Sequence, residues 1–277
     1  MAFKGALAKA TNARTGERIS KATMLSTLRD LRAFFFWLAH LPGFKSAIAY
    51  ADADYFNLSD KDVAVARGRR EKRVPTLAQV YHVLSVMSAD TTVERRDRAL
   101  IAFAALTGAR VGALASFRLG HIDLASGMVE HDARTVRSKF AKTFPTWFMP
   151  IGGDALAIFT SWIAELERDH HWGRDDALFP ATQMGLDTSG DFTPAGILRS
   201  GWRSTQPINA VFRRGFESSG LPYFNPHSFR DMLVRHAMGT ISVRMLVLRA
   251  SGVLRFDRRS PALQAVSSSP ISFSKAA

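Results

Sequence analysis

Residues 97–106 constrain this chain more than any other stretch. Ala99, Leu100, Ile101, Phe103, Ala104, Ala105 and Leu106 leave almost no polar face, and a helix apolar all round is a buried helix. Thr107-Gly108 breaks it, and a second helix begins in 110–117. Around this centre the spacing of apolar residues predicts further helices. The clearest starts at Ser20 and carries Leu25, Leu28, Leu31, Phe35 and Leu38 until Pro42-Gly43 stops it. Others are expected at 45–52, at 60–66 behind a Ser59 cap, at 77–87, 153–169 and 205–218, and from Pro226 onward. Residues 128–130, 133–136 and 146–150 read as extended, with the basic turn 137–143 between the last two, which suggests a small antiparallel sheet. Residues 1–19 and 181–204 read as loose or looped. The run Phe34-Phe35-Phe36-Trp37 reads as core packing, as do Trp147, Trp162, Trp172 and Trp202. The fold class expected is mainly α with a small antiparallel sheet.

Charge narrows the function. Thirty-seven Lys and Arg stand against 24 Asp and Glu, a net +13 over 277 residues, and such an excess favours polyanions, nucleic acid before membrane. Residues 1–73 hold 14 of the cations and 7 of the acids. Their end, Arg67-Gly68-Arg69-Arg70-Glu71-Lys72-Arg73, precedes Val74-Pro75-Thr76 and reads as a basic linker able to follow a nucleic-acid backbone. With no cysteine there is neither disulfide nor thiolate metal site. No apolar run approaches a membrane span, and the N-terminus lacks a secretory core, so the cytoplasm is the compartment expected. His170-His171 beside Asp169 is the nearest approach to a metal site; no metal and no cofactor is expected.

Four residues carry the chemistry. His227 and Arg230, three apart after Pro226, share one helix face near its start, and a helix N-terminus with added cationic side chains suits a phosphate. Arg110 follows the Thr107-Gly108 break, and Lys142 lies on the basic turn. Two arginines can each give paired hydrogen bonds to phosphodiester oxygens. A lysine can protonate a leaving oxygen, and a histidine can hold a phosphate oxygen or act as a base. Arg110 as a capping group and Arg230 as a surface helix residue remain the plainer readings.

In order and spacing these residues resemble the tyrosine recombinase (phage integrase) family. The resemblance rests on Leu106-Thr107-Gly108-Ala109-Arg110, on Lys139 and Lys142 before Phe148-Met149-Pro150, and on Pro226-His227-Ser228-Phe229-Arg230, with the basic linker before Leu77. It covers about residues 20–238. It implies a helical, SAM-like core-binding domain with its linker in 1–73 and a recombinase catalytic domain in 74–238. The two would form a C-shaped clamp on duplex DNA, with tetramers on paired sites in intact relatives. It implies strand cutting and rejoining in which Arg110 and Arg230 activate the phosphate, Lys142 protonates the 5′ oxygen and His227 assists. Lys142 is preferred to Lys139 because the turn sets it nearer the second strand. Arg67, Arg69, Arg70, Lys72, Arg73 and Lys139 would contact DNA.

Three departures shape the expectation. No acid follows Arg110 closely, no second histidine or tryptophan motif follows Arg230, and no tyrosine follows it either. Tyr50, Tyr55, Tyr81 and Tyr223 all precede His227, so the 3′-phosphotyrosyl step of the family lacks its nucleophile. Acids, periodicity and expected motif are lost together near Met238-Gly239, which suggests a displaced reading frame and an aberrant tail over 239–277. Translating the gene in its other frames past codon 238 tests this. The reading is a recombinase-like, double-stranded-DNA-binding protein defective in cleavage. Its rivals are a non-catalytic DNA-binding regulator and a basic structural nucleic-acid-binding protein.

Overall fold

The computed structural model describes residues 2–13, 15–68 and 73–240. It is mainly α with small antiparallel sheets, as expected, and divides into two compact units, residues 1–71 and 72–277.

In the first unit, helices α1 (Ala2–Lys9), α2 (Lys21–Leu38) and α3 (Asp60–Arg67) flank a 3-10 turn at Tyr50–Phe56. Ser20 and Ser59 cap α2 and α3, each accepting from a backbone N–H three residues on. Two expectations fail here. Residues 2–9 are helical, since Phe3 and its neighbours have partners a loose reading ignores: the Phe3 ring meets Phe56 edge-on at 6.3 Å. Residues 45–52 form turns that lead into the 3-10 segment rather than a helix. The aromatic run on α2 also divides. Phe35 stacks on Phe56 at 4.7 Å, whereas Phe34 and Trp37 stay about half exposed. Four consecutive helical positions span most of a full turn and cannot all face one core.

The second unit is built around α5 (Thr92–Thr107), which is buried from Arg96 almost throughout. A reciprocal cap between Thr91 and Glu94 starts it. Around it lie α4 (Leu77–Val86), α7 (Ala155–Arg168), α8 (Gln206–Ser218) and α9 (Pro226–Thr240). Phe103 is the centre of an aromatic cluster with Phe117, Phe148, Phe159 and Phe179, all within 6.2 Å. Trp162 is fully buried with its indole N–H on the Leu178 carbonyl at 2.9 Å. Trp172 and Trp202 are buried as well.

A short α6 (Val111–Leu114) leaves the end of α5, and a three-stranded antiparallel sheet follows: β1 (Ile122–Asp123), β2 (Met128–His131) and β3 (Phe144–Trp147), in that order. His131 stands opposite Phe144 across β2 and β3. Residues 133–136, expected as extended, turn instead. Asp132 is the reason: its carboxylate accepts from the Arg134 backbone and its carbonyl from Val136, which closes a turn at the end of β2. The largest correction is at 181–204. Its place is taken by a hairpin of β4 (Pro180–Leu186) and β5 (Phe192–Gly201). Its composition disguises it, because its faces are mostly solvent-exposed and no alternating apolar stripe is needed. Asp187 closes its tip by accepting from the Ser189 and Asp191 backbones.

An ionic knot ties the hairpin's root to α5. Arg96, 1% exposed, gives its guanidinium to Asp97, to the Pro180 carbonyl and to Thr182, and lies 4.8 Å over the Trp202 ring. Asp97 also accepts from Arg214 of α8 at 2.9 Å. Among the described residues no helix is long and apolar enough to cross a membrane. Removing one partner of a buried pair leaves the other charge stranded, so Asp97→Ala should cost about 3–5 kcal/mol. Urea denaturation of the variant checks this.

Candidate functional site

Three chain segments meet beside the C-terminal end of α5. The first is the turn that ends that helix. Thr107 donates its hydroxyl to the Phe103 carbonyl (2.7 Å) and accepts from the Ala109 N–H (3.2 Å). Gly108 adopts the left-handed conformation at φ 58°. The chain therefore reverses at once, and Arg110 stands in extended backbone at the start of α6.

The second segment is the first turn of α9. Asn225 precedes Pro226 and accepts from the Ser228 N–H with its side chain at 3.1 Å, while Ser228 returns its hydroxyl to the Asn225 carbonyl at 2.6 Å. Phe229 is fully buried against Phe212 and Phe216. Fixing Phe229 inward fixes Arg230 next to it, over the Gly108 turn. A side chain on Gly108 would come within 3.2 Å of the Arg230 Cα, and the Arg230 guanidinium reaches the Gly108 carbonyl at 3.5 Å. Glycine is thus needed twice at 108, for its φ and for the approach of α9.

The third segment is the β2–β3 pair with its connection. His131, Phe144 and Thr146 line the same pocket as Thr107, Ala109, Arg110 and Arg230, with Arg137 and Ser138 at its edge. Arg137 is held by its guanidinium on the Trp202 and Arg203 carbonyls at 2.6 and 3.1 Å.

The titratable side chains lining this pocket are three arginines and a histidine. Arg230 is half-buried, and burial, then the charge of Arg110, push its pKa below the usual arginine value; Asp231 opposes them. Its guanidinium stays ionised regardless. Burial, followed by the charges of Arg230, His121 and Arg110, lowers His131 to about 4. An anion between the two guanidiniums would offset the charge contribution to each shift, though not the burial.

The predicted residues divide accordingly. Arg110 and Arg230 come together. Lys142 and His227 are exposed and do not line the pocket, Lys142 on the connection and His227 in the first turn of α9. Lys142 is nonetheless linked to it, because pocket-lining Ser138 accepts from its backbone N–H (3.1 Å) and donates to its carbonyl (2.9 Å). Lys139 is exposed, its ammonium 4.9 Å over the Phe140 ring. Arg67 and Arg73 are exposed, and Arg67 borders an open groove with Arg29 and Arg32. Arg69, Arg70 and Lys72 lie outside the described residues, as does the tail beyond Thr240.

Neither tyrosine of the second unit is prepared as a nucleophile. The Tyr81 hydroxyl donates to the Ile151 carbonyl, and the Tyr223 ring lies under Arg213 at 4.6 Å. Burial raises the pKa of both. The sequence alone did not single out His131. The available signal was its place at the inward end of β2, immediately before the basic connection.

No family model matches the sequence, and no curated protein matches it. Solved structures do resemble the fold at low identity. The XerA recombinase is 14% identical over 89% of this chain and 85% of that one, with a TM-score of 0.45. A lambda integrase dimer bound to a COC′ core site is 15% identical over 95% and 84%, at 0.47. The XerH site-specific recombinase bound to difH is 14% identical over 96% and 74%, at 0.43.

Two outcomes follow from the geometry. Gly108→Ala should lose about 1–2 kcal/mol to the left-handed backbone alone, and should also weaken sulfate binding by displacing α9, as calorimetric titration would register. His131 stays neutral in the folded chain to about pH 4, against 6.5 for the free side chain. The unfolded chain takes up its proton first, so stability is full above that value and falls as pH drops from about 6.5 to 4. The loss is about 3 kcal/mol, and in His131→Asn that part of the pH dependence should vanish from denaturation curves.

Proposed function

We propose that this chain belongs to the tyrosine recombinase (phage integrase) family, that it binds duplex DNA by seating a backbone phosphate between Arg110 and Arg230, and that it does not itself cleave the strand. The observation that carries this is that Arg110 and Arg230, 120 positions apart in the chain, line one pocket. Each can give paired hydrogen bonds to non-bridging oxygens, and an anion between them would offset their mutual repulsion. The net +13 supplies the longer-range attraction to a polyanion.

In this reading Lys142 is the general acid carried by the β2–β3 connection and His227 assists from α9, both moving onto a phosphate that occupies the pocket. Arg67, Arg69, Arg70, Lys72, Arg73 and Lys139 follow the DNA backbone. Cutting through a 3′-phosphotyrosine needs a tyrosine that these 277 residues do not carry beyond Arg230. That same lack favours the second reading, a non-catalytic DNA-binding regulator that keeps the pocket for affinity.

Fluorescence anisotropy with a labelled duplex tests the binding. Arg110→Ala and Arg230→Ala should each weaken it about 10- to 100-fold, as loss of hydrogen bonds from a charged group does, and affinity should fall steeply with salt. Equal affinity for single strands would overturn the duplex assignment. Supercoiled-plasmid nicking and trapping of protein–DNA adducts should both be negative. A trapped adduct would reveal a nucleophile and overturn the cleavage defect.

A further inference from the structure

His131 is the one lining residue of the pocket that is both titratable and buried, at 5% exposed. Its ring is held on two sides. It stacks on Phe144 of the neighbouring strand at 4.4 Å and 11°, and it meets the edge of Phe117 at 5.0 Å. Its Nε2 lies 3.1 Å from the Thr146 Oγ1, and that hydroxyl is directed at the Val129 carbonyl, 3.5 Å away. With the hydroxyl hydrogen on Val129, the Thr146 oxygen accepts from an Nε2–H. The tautomer so fixed leaves the lone pair on Nδ1. Phe144 and Thr146 line the pocket too, so the clamp and the site are one structure.

We propose that His131 is a positioning residue of the anion pocket: its clamped, uncharged ring offers the Arg110 and Arg230 guanidiniums a lone-pair acceptor where a third cation would repel them, and so fixes where they receive a phosphate. The inference deepens the reading of this pocket as a phosphate seat and rests on it. The charged groups facing the ring are consistent with a neutral imidazole. Arg110 comes from the turn after α5 and Arg230 from α9, while Arg137, from the connection after β2, borders the pocket with its guanidinium on the Trp202 and Arg203 carbonyls. His121, before β1, adds to the positive side. The adjacent Asp132 is engaged with Arg134 at 3.0 Å.

The test uses the full chain and sulfate, an anion that does not itself titrate between pH 4 and 8. Nuclear magnetic resonance of the imidazole nitrogens, with the His131 signal identified by its loss in His131→Asn, should show a neutral Nε2–H tautomer at pH 7. Its titration midpoint near 4 should move upward when sulfate saturates the pocket, because the anion cancels part of the arginines' field. Reading the midpoint at His131 itself separates it from His121 and His227. A midpoint indifferent to sulfate overturns the proposal. In parallel, His131→Phe keeps an aromatic ring on Phe144 but has no lone pair, and should bind sulfate about five- to ten-fold more weakly. His131→Asn, which restores an acceptor oxygen, should recover part of the loss. Wild-type affinity in His131→Phe would reduce the residue to packing and overturn the inference while leaving the phosphate seat intact. A wild-type chain that binds no sulfate would overturn both.

Discussion

The approach of α9 to the turn that ends α5 is the contact on which the site depends. It is a backbone matter before it is a side-chain one. Gly108 has no Cβ, so the Arg230 Cα can lie where a side chain at 108 would otherwise stand. The left-handed turn then carries Arg110 to the same side as Arg230. Burial of Phe229 among Phe212 and Phe216 supplies the force that holds α9 there. The arrangement of charge follows from that packing.

Two ionic arrangements within the same unit show opposite solutions to one problem. Arg96 is almost wholly buried and fully compensated, with Asp97, two oxygen acceptors on the β4 strand and the Trp202 face around it. It serves cohesion. Arg110 and Arg230 instead stand near each other and a histidine held neutral, with the charge of Asp231 acting against their repulsion. In the phosphate reading proposed for this pocket, both arginines would favour an anion there. The β2–β3 connection extends the same site outward, since Ser138 borders the pocket and braces Lys142 through two hydrogen bonds.

Much of the fold was legible because its signals are local. The apolar text of α5, the caps at Ser20 and Ser59 and the glycine stop at 108 each act within a few residues of themselves. What escaped depends on partners elsewhere. The β4–β5 hairpin has no apolar alternation to announce it, and its root is secured by Arg96 from another element. Helix α1 gains the Phe56 ring, a contact no local window contains. Half of the Phe34–Trp37 run points outward because helix geometry allows nothing else.

The candidate site divides in the same way. By itself the sequence determined which residue types were available, with Arg110 behind a glycine break, a basic connection and a histidine and arginine at helical spacing, because spacing along one helix or turn is a local property. Within these 277 residues it also places every tyrosine before His227. Only the tertiary structure decided that Arg110 and Arg230 share a pocket, that Lys142 and His227 stand outside its lining, and that His131 belongs inside it. Those relations arise from Gly108 meeting α9 and from His131 facing Phe144 across two strands. Both are contacts between segments distant in the chain, and they exist only once burial of the core has brought those segments together.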